Sequence, residues 1–204
     1  MNFVLRLIPS LLFISLLASS GALPPVDVFG IVTQARKASL SYGTVSAGAS
    51  VYDGDTLATG VDGTLTLRAT SSMIHLGTRS RVTLPSASAA DKCAQFTLSA
   101  GTVRFATPQT AAIEIRADQA DIRRATQVPS SGQITIITPS SFEIFARRGA
   151  LKIQYRDDTE MIAKGKSYRV VLDAYNDDAP LQKPRRTINP GPLKRPRTSA
   201  NASF

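Results

Sequence analysis

The sequence predicts an all-β domain, and three observations indicate this class. Apolar and polar residues alternate over short segments from Val26 to about Leu172. Glycines separate these segments about every 8–12 residues, the spacing of strands joined by tight turns. No segment between them has a helical period of convincing length. Because 43% of the 204 residues are hydrophobic, the chain can also bury a core and is not disordered throughout.

The alternating segments follow one another along the chain after Val45 and Val51. Strands are predicted at 56–59, 64–67, 73–76, 81–84, 95–98, 102–105, 112–115, 134–137, 142–145, 151–155 and 168–172. Loops of small or polar residues are predicted at 85–91 and 127–131. Short strands of about four residues without a repeat of fixed length fit a compact roll, an irregular solenoid or a sandwich.

Period-two alternation also predicts which side chains share a core. The apolar members of the segments should pack together: Leu57, Leu65, Leu67, Ile74, Leu76, Val82, Leu84, Phe96, Leu98, Val103, Ile113 and Ile115. The polar members between them should face outward, among them Thr64, Thr66, His75 and Thr97. A register slip of one residue would reverse every one of these assignments. Four glycines between alternating runs are predicted at turns: Gly54, Gly63, Gly101 and Gly149.

Residues 1–22 have the pattern of a secretory signal peptide. Arg6 precedes an apolar run over 7–17, and small residues then lead to a cleavage site predicted after Ala22. The run is shorter than the roughly 18–20 residues of a membrane-spanning helix; an uncleaved signal anchor is the alternative. In both cases we expect the β-domain, residues 23–179, to be exported, to the periplasm or the extracellular space.

The basic character of the chain is concentrated at its C-terminus. Residues 180–204 are rich in proline, lack acids and hold six bases: Lys183, Arg185, Arg186, Lys194, Arg195 and Arg197. Residues 23–179 hold 17 bases and 15 acids, a net charge of about +2. This composition predicts a disordered C-terminal tail. Either the tail is solvated without a partner, or its bases contact an anionic wall polymer or lipid phosphate. No aromatic residue lies between the bases, which argues against nucleic acid.

The side chains that carry chemistry are few. The single Cys93 and single His75 cannot form a disulfide or a Cys/His zinc site. Asp53-Gly54-Asp55 could suggest calcium, but the repeated acidic pattern of calcium-binding rolls is missing, and the segment is interpreted as a turn. His75 has no nucleophile motif near it in the sequence. We therefore expect a protein that is not an enzyme, with no cofactor and no bound metal.

Residues 51–84 resemble the FecR domain family. The family's opening motif appears as Gly54-Asp55-x-Leu57-x-Thr59-Gly60, followed by two alternating strands and Ser80. Further similar pieces are the Gly101 step at 96–103, a strand-Gly149-strand hairpin at 142–153, and a closing turn at 163–166. The similarity covers about residues 28–172. It departs from the family at 123–128, where the usual Arg-Gly-Thr-x-Phe is Arg-Ala-Thr-Gln-Val.

The resemblance implies an exported β-domain of a family best known for membrane regulators of iron uptake. Those regulators carry an anti-sigma region and a membrane helix, which this sequence does not show. The first hypothesis is therefore a non-catalytic binding or signal-sensing module of the cell envelope, with an envelope protein or glycan as partner. Such a partner would be engaged through a strand edge or a loop face. The second is a structural or surface-associated envelope protein that is anchored by the basic tail.

Overall fold

The fold is known from a computed structural model, which describes residues 28–41, 43–86 and 93–172. These residues form strands and turns without a helix, so the all-β prediction is confirmed. Accordingly, no helix in the described ranges is long and apolar enough to cross a membrane. The strands are β1 (Val28–Leu40), β2 (Gly43–Thr44), β3 (Ser50–Tyr52), β4 (Thr56–Ala69), β5 (Ser72–Leu76), β6 (Arg81–Thr83), β7 (Cys93–Ala100), β8 (Thr102–Thr107), β9 (Ala112–Ala117), β10 (Ala120–Arg124), β11 (Ser130–Thr138), β12 (Ser141–Arg148), β13 (Leu151–Tyr155), β14 (Asp158–Ile162) and β15 (Ser167–Val171).

Strand β4 organises the sheet. Its one edge pairs with β1, while its other edge pairs with β6 at residues 56–58 and with β5 at residues 65–69. Two branches leave this edge: the first branch runs β5-β8-β11-β12-β15, and the second branch runs β6-β7-β9-β10-β13-β14. Residues of both branches pack in one hydrophobic cluster. The sheet is therefore a compact roll around a single core, one of the three predicted architectures.

The longest strands were not predicted as such. β4 has 14 residues and joins the segments 56–59 and 64–67 into one strand. It stays continuous at Gly63 because this residue has no side chain. A β-carbon there would clash with the carbonyl oxygen of Lys37 and would stand 2.5 Å from the nitrogen of Gly60. The prediction of a turn at Gly63 is wrong: the residue lies within β4 and is needed for close approach.

The predicted core is confirmed in full. All twelve apolar side chains are buried in the cluster that the two branches share. Thr64, Thr66, His75 and Thr97 alternate with them on the outward side, where each is partly exposed. The alternation was informative because one face of every strand covers the core and the other contacts solvent.

Two glycines form the corners at which the chain passes from one branch to the other. Gly101 connects β7 to β8 with φ 77°, and Gly149 connects β12 to β13 with φ 70°. Turns at Gly54, Gly101 and Gly149 are thus confirmed, but the predicted hairpin around Gly149 is wrong. β12 pairs with β11 and β15, whereas β13 pairs with β10 and β14. A side chain at either corner would strike a buried serine, Ser80 or Ser130.

Candidate functional site

Two residues of the family-like motif, Thr59 and Ser80, form a buried polar cluster with Thr102. The Ser80 amide donates to the Thr59 hydroxyl over 2.8 Å, and that hydroxyl donates to the Gly77 carbonyl over 2.6 Å. The Ser80 hydroxyl accepts from the Thr102 amide over 2.9 Å. We call Thr59, Ser80 and Thr102 the junction cluster, because it joins β4, the β5–β6 connection and the Gly101 corner. Its hydrogen bonds connect these elements at the point where the branches separate.

Asp55 organises the turn before β4. Its carboxylate accepts from the Tyr52 amide over 2.8 Å and from the Ser41 hydroxyl over 2.7 Å. Gly54 has φ 84°, and its amide donates to the Pro85 carbonyl over 2.8 Å. The interpretation of this segment as a turn is confirmed, since both carboxylate oxygens of Asp55 have partners within the turn and its neighbours.

His75 lies on the outward side of β5 and is half-buried rather than fully exposed. Its Nδ1 atom is 2.9 Å from the Thr66 hydroxyl, and its cross-strand neighbour on β8 is Arg104. Burial, and to a smaller extent the positive charge of Arg104, lower the pKa of His75 below its usual 6.5. The surroundings of His75, which include the Thr66 hydroxyl and the Arg104 guanidinium, therefore favour the neutral imidazole.

A shallow depression lies on the outward side of the second branch. It has a volume of about 60 Å³ and is lined by Pro85, Gln95, Phe96, Thr97, Glu114 and Arg116. Small-molecule sites usually have about 300–1,000 Å³. Cys93, half-buried at the start of the same strand as Gln95, does not line it. This depression is too small to accept more than a few water molecules.

The strand order ends at β14 on one side and at β15 on the other, so the outer edge of β15 is a candidate binding surface. The Leu172 amide donates to the Ser140 carbonyl, and the Lys166 carbonyl accepts from the Ala146 amide. In and beside β15, the even-numbered residues therefore direct their amides and carbonyls toward β12. In an antiparallel ladder, the alternate residues point their amides and carbonyls the other way. Ser167, Arg169 and Val171 therefore present them at an edge that no strand of the described ranges covers.

Several predicted features lie outside the described residues. These are the signal peptide, the loop at 87–92, and the tail with Lys183, Arg185, Arg186, Lys194, Arg195 and Arg197.

The segment at 123–128, which departs from the family motif, lies within the described residues. There, Arg124 donates to the carbonyls of Pro108 over 3.2 Å and of Gln109 over 2.8 Å, while Val128 is exposed. This segment closes the loop before β9 with an arginine.

Comparison with known proteins gives few matches. No family model matches the sequence, and no curated protein matches it. Two similar solved structures are crystal structures, at 1.65 and 2.50 Å resolution, of a candidate anti-sigma factor from Parabacteroides distasonis ATCC 8503. Each is 11% identical with a TM-score of 0.49, and the match covers 58% of this chain and 55% of theirs. The chain thus spans about half the length of that protein, and this similarity gives no ground for transferring a function.

Proposed function

We propose that this chain is an exported, FecR-like β-domain that acts as a non-catalytic binding or signal-sensing module of the cell envelope. It takes its partner protein as an added strand along β15. The signal-like residues 1–22 support export, and the motif from Gly54 to Ser80 supports the family assignment. The observation that carries the proposal is the edge at Ser167, Arg169 and Val171, which no strand of the described residues covers.

An uncovered edge specifies the form of its partner. Amides and carbonyls that alternate along an extended strand are satisfied by the main chain of another extended segment. Specificity then depends on the exposed side chains of β15, of which Arg169 is the only charged one. The partner segment should therefore carry an acidic residue opposite Arg169, because opposite charges stabilise such cross-strand pairs.

A second copy of the chain is a poorer partner at this edge. A twofold antiparallel pairing centred on Arg169 would place the two Arg169 guanidinium groups directly opposite each other. Like charges in that position destabilise a strand pair. The edge is in this way protected against self-association while it remains open to an acidic strand.

The test uses proline at a position where it leaves the fold intact. The Val171 amide points away from β12, so Val171→Pro removes an edge donor without removing a bond of the β12–β15 ladder. Val171→Ala is the matched control. The mature chain and both variants are used to capture partners from an envelope extract, and thermal unfolding confirms that both variants fold.

The expected result combines loss of capture with a protection pattern. Val171→Pro should lose the partner that the unchanged chain and Val171→Ala retain. In the captured complex, the amides of Ser167, Arg169 and Val171 should gain protection from hydrogen exchange, while those of Tyr168 and Val170 are already protected in the free protein. Equal capture by the two variants, or protection gained elsewhere only, would refute strand addition at β15.

A further inference from the structure

The outward side of the first branch carries arginines in regular positions. Cross-strand pairing places Arg68, Met73, Ala106, Ser131 and Arg148 in one row across β4, β5, β8, β11 and β12. The next row is Thr66, His75, Arg104, Gln133 and Phe145. We call the outward side of these five strands the arginine face, since Arg68, Arg104 and Arg148 are its charged members in these two rows.

The three arginines form a triangle on the outward side of the sheet. Adjacent strands are about 4.8 Å apart, so Arg68 and Arg148, four strands apart, are joined by a path of about 19 Å along the curved sheet. Arg104 stands on the middle strand, one row away from the line that joins the other two. A ligand that contacts all three must therefore be long and must cross the strands.

The charges of this face are not neutralised within the described residues. None of the three arginines forms an ion pair there, and the neighbouring acid, Glu143, lies opposite Arg169 instead. The second branch differs in this respect. On its outward side, Arg116 pairs with Asp121 over 2.8 Å and Arg123 with Glu114 over 2.7 Å.

Hydroxyl and amide groups lie beside Arg104, while Met73, Ala106 and Ser131 stand between Arg68 and Arg148 in their row. Arg104 donates to the Gln133 side-chain oxygen over 2.9 Å, and Gln133 donates to the Thr135 hydroxyl over 3.3 Å. Thr102 and Thr135 continue the polar strip, with their hydroxyls 3.1 Å apart. Phe145, partly exposed, and His75, half-buried, are the two residues with aromatic rings in these rows. This surface offers donors for anions and for hydroxyl groups, but few rings for stacking.

We propose that the arginine face binds a linear acidic polysaccharide that lies across the strands. Planar guanidinium groups match carboxylates in a two-pronged hydrogen bond, and the hydroxyl and amide groups beside Arg104 suit sugar hydroxyls. A single-stranded nucleic acid would need stacking rings. This inference is independent of strand addition at β15, because the three arginines lie on β4, β8 and β12 and none of them lies on β15.

The test compares two triple variants of the full mature chain. The face variant is Arg68→Gln/Arg104→Gln/Arg148→Gln. The matched control, Arg81→Gln/Lys164→Gln/Lys166→Gln, removes the same charge from exposed positions that form no ion pair within the described residues. Binding is measured by calorimetry to alginate, a carboxylate polysaccharide, and to neutral dextran, anionic phospholipid vesicles and single-stranded DNA.

The face variant should lose about tenfold in affinity for alginate, as expected for three exposed charge-assisted contacts, whereas its affinity for vesicles and DNA, to which its intact basic tail can contribute, should change much less. The control variant should lose less than about twofold. Replacement of the same three arginines by lysine should also weaken binding, because the charge remains but the planar fork is lost. Equal losses of alginate affinity in both triple variants, or a loss of vesicle or DNA affinity in the face variant as large as its loss of alginate affinity, would overturn the proposal.

Discussion

At Gly63, the missing side chain lets two long strands bend together. A β-carbon there would stand 2.5 Å from the Gly60 nitrogen and would clash with the Lys37 carbonyl. Lys37 itself has φ 45° and sits at a bulge of β1. The bulge of β1 and the close approach of Gly63 thus fall at one place, between the part of β4 that pairs with β6 and the part that pairs with β5.

Gly63→Ala should lower the free energy of unfolding by about 1–3 kcal/mol, because the clash is with backbone atoms that cannot move independently. Gly43→Ala is the control, since a β-carbon at Gly43 meets no atom within 4 Å, and it should change stability by less than about 0.5 kcal/mol. Chemical denaturation measures both. A Gly63→Ala protein as stable as the control would show that β4 does not need this close approach.

His75 offers a second test at the scale of single residues. Because Arg104 contributes to the lowered pKa of His75, Arg104→Gln should move this pKa upward. The shift should be partial, since burial is the larger cause and remains. The sequence has one histidine, so its ring proton can be followed by NMR titration without ambiguity. An unchanged pKa in Arg104→Gln would contradict the proximity of the two side chains.

The same lowered pKa fixes the sign of a pH effect on stability. The unfolded chain binds a proton at His75 near pH 6.5, whereas the folded chain resists it until a lower pH. Acidification below about pH 6.5 should therefore reduce the free energy of unfolding, and the loss should level off once the folded state is protonated too. This part of the pH dependence should disappear in His75→Gln.

At the scale of the elements, the junction cluster connects β4, the β5–β6 connection and the Gly101 corner by buried hydrogen bonds. Ser80→Ala should lower the free energy of unfolding by about 1–3 kcal/mol, because the Thr102 amide loses a buried acceptor. Ser99→Ala is the control, because the exposed Ser99 hydroxyl donates only a long hydrogen bond, 3.3 Å, to the main-chain carbonyl of Arg81. Thermal and denaturant unfolding compare them. Equal stability of the two variants would mean that the cluster does not hold the junction.

Local pattern predicted the elements only where a strand keeps strict alternation. It found the twelve core residues because each of them occurs in an unbroken period of two. It missed β1, whose register shifts at two bulges, after Val32 and after Arg36. Each bulge inserts a residue and reverses the faces that follow, so alternation is lost although the strand continues.

Pairing between elements was beyond the reach of local pattern. Consecutive segments around a glycine suggested a hairpin at Gly149, but β12 and β13 belong to different branches. β7 and β9 pair in parallel although their neighbours are antiparallel. The β15 edge could not be recognised either, because an edge is defined by which strands are absent beside it, and this follows from the whole sheet.

At the scale of the whole molecule, the net charge conceals how charge is distributed. Of the total of +9, six positive charges lie in residues 180–204, while residues 23–179 are nearly balanced. Among the described residues, the fold nevertheless separates the charges: Arg68, Arg104 and Arg148 on the first branch form no ion pair there, whereas Arg116 and Arg123 on the second branch do. Sequence order interleaves these residues, and only the pairing of strands brings them onto separate faces.

The tail can be tested against this background with a mature chain that ends at Ala179. Residues 180–204 hold six bases and no acid, and each base near an anionic membrane contributes up to about 1 kcal/mol. We expect the full mature chain to sediment with anionic vesicles at low salt and the shortened chain to bind much less. Screening acts within about 8–10 Å at physiological salt, so binding should vanish in molar salt.

The face variant with an intact tail is the control and should retain most of its vesicle binding, because the arginine face is proposed for polysaccharide. Equal binding by the full and shortened chains, or binding that persists in molar salt, would contradict anchoring by the tail and leave the uncovered edge of β15 and the arginine face as the surfaces to be explained.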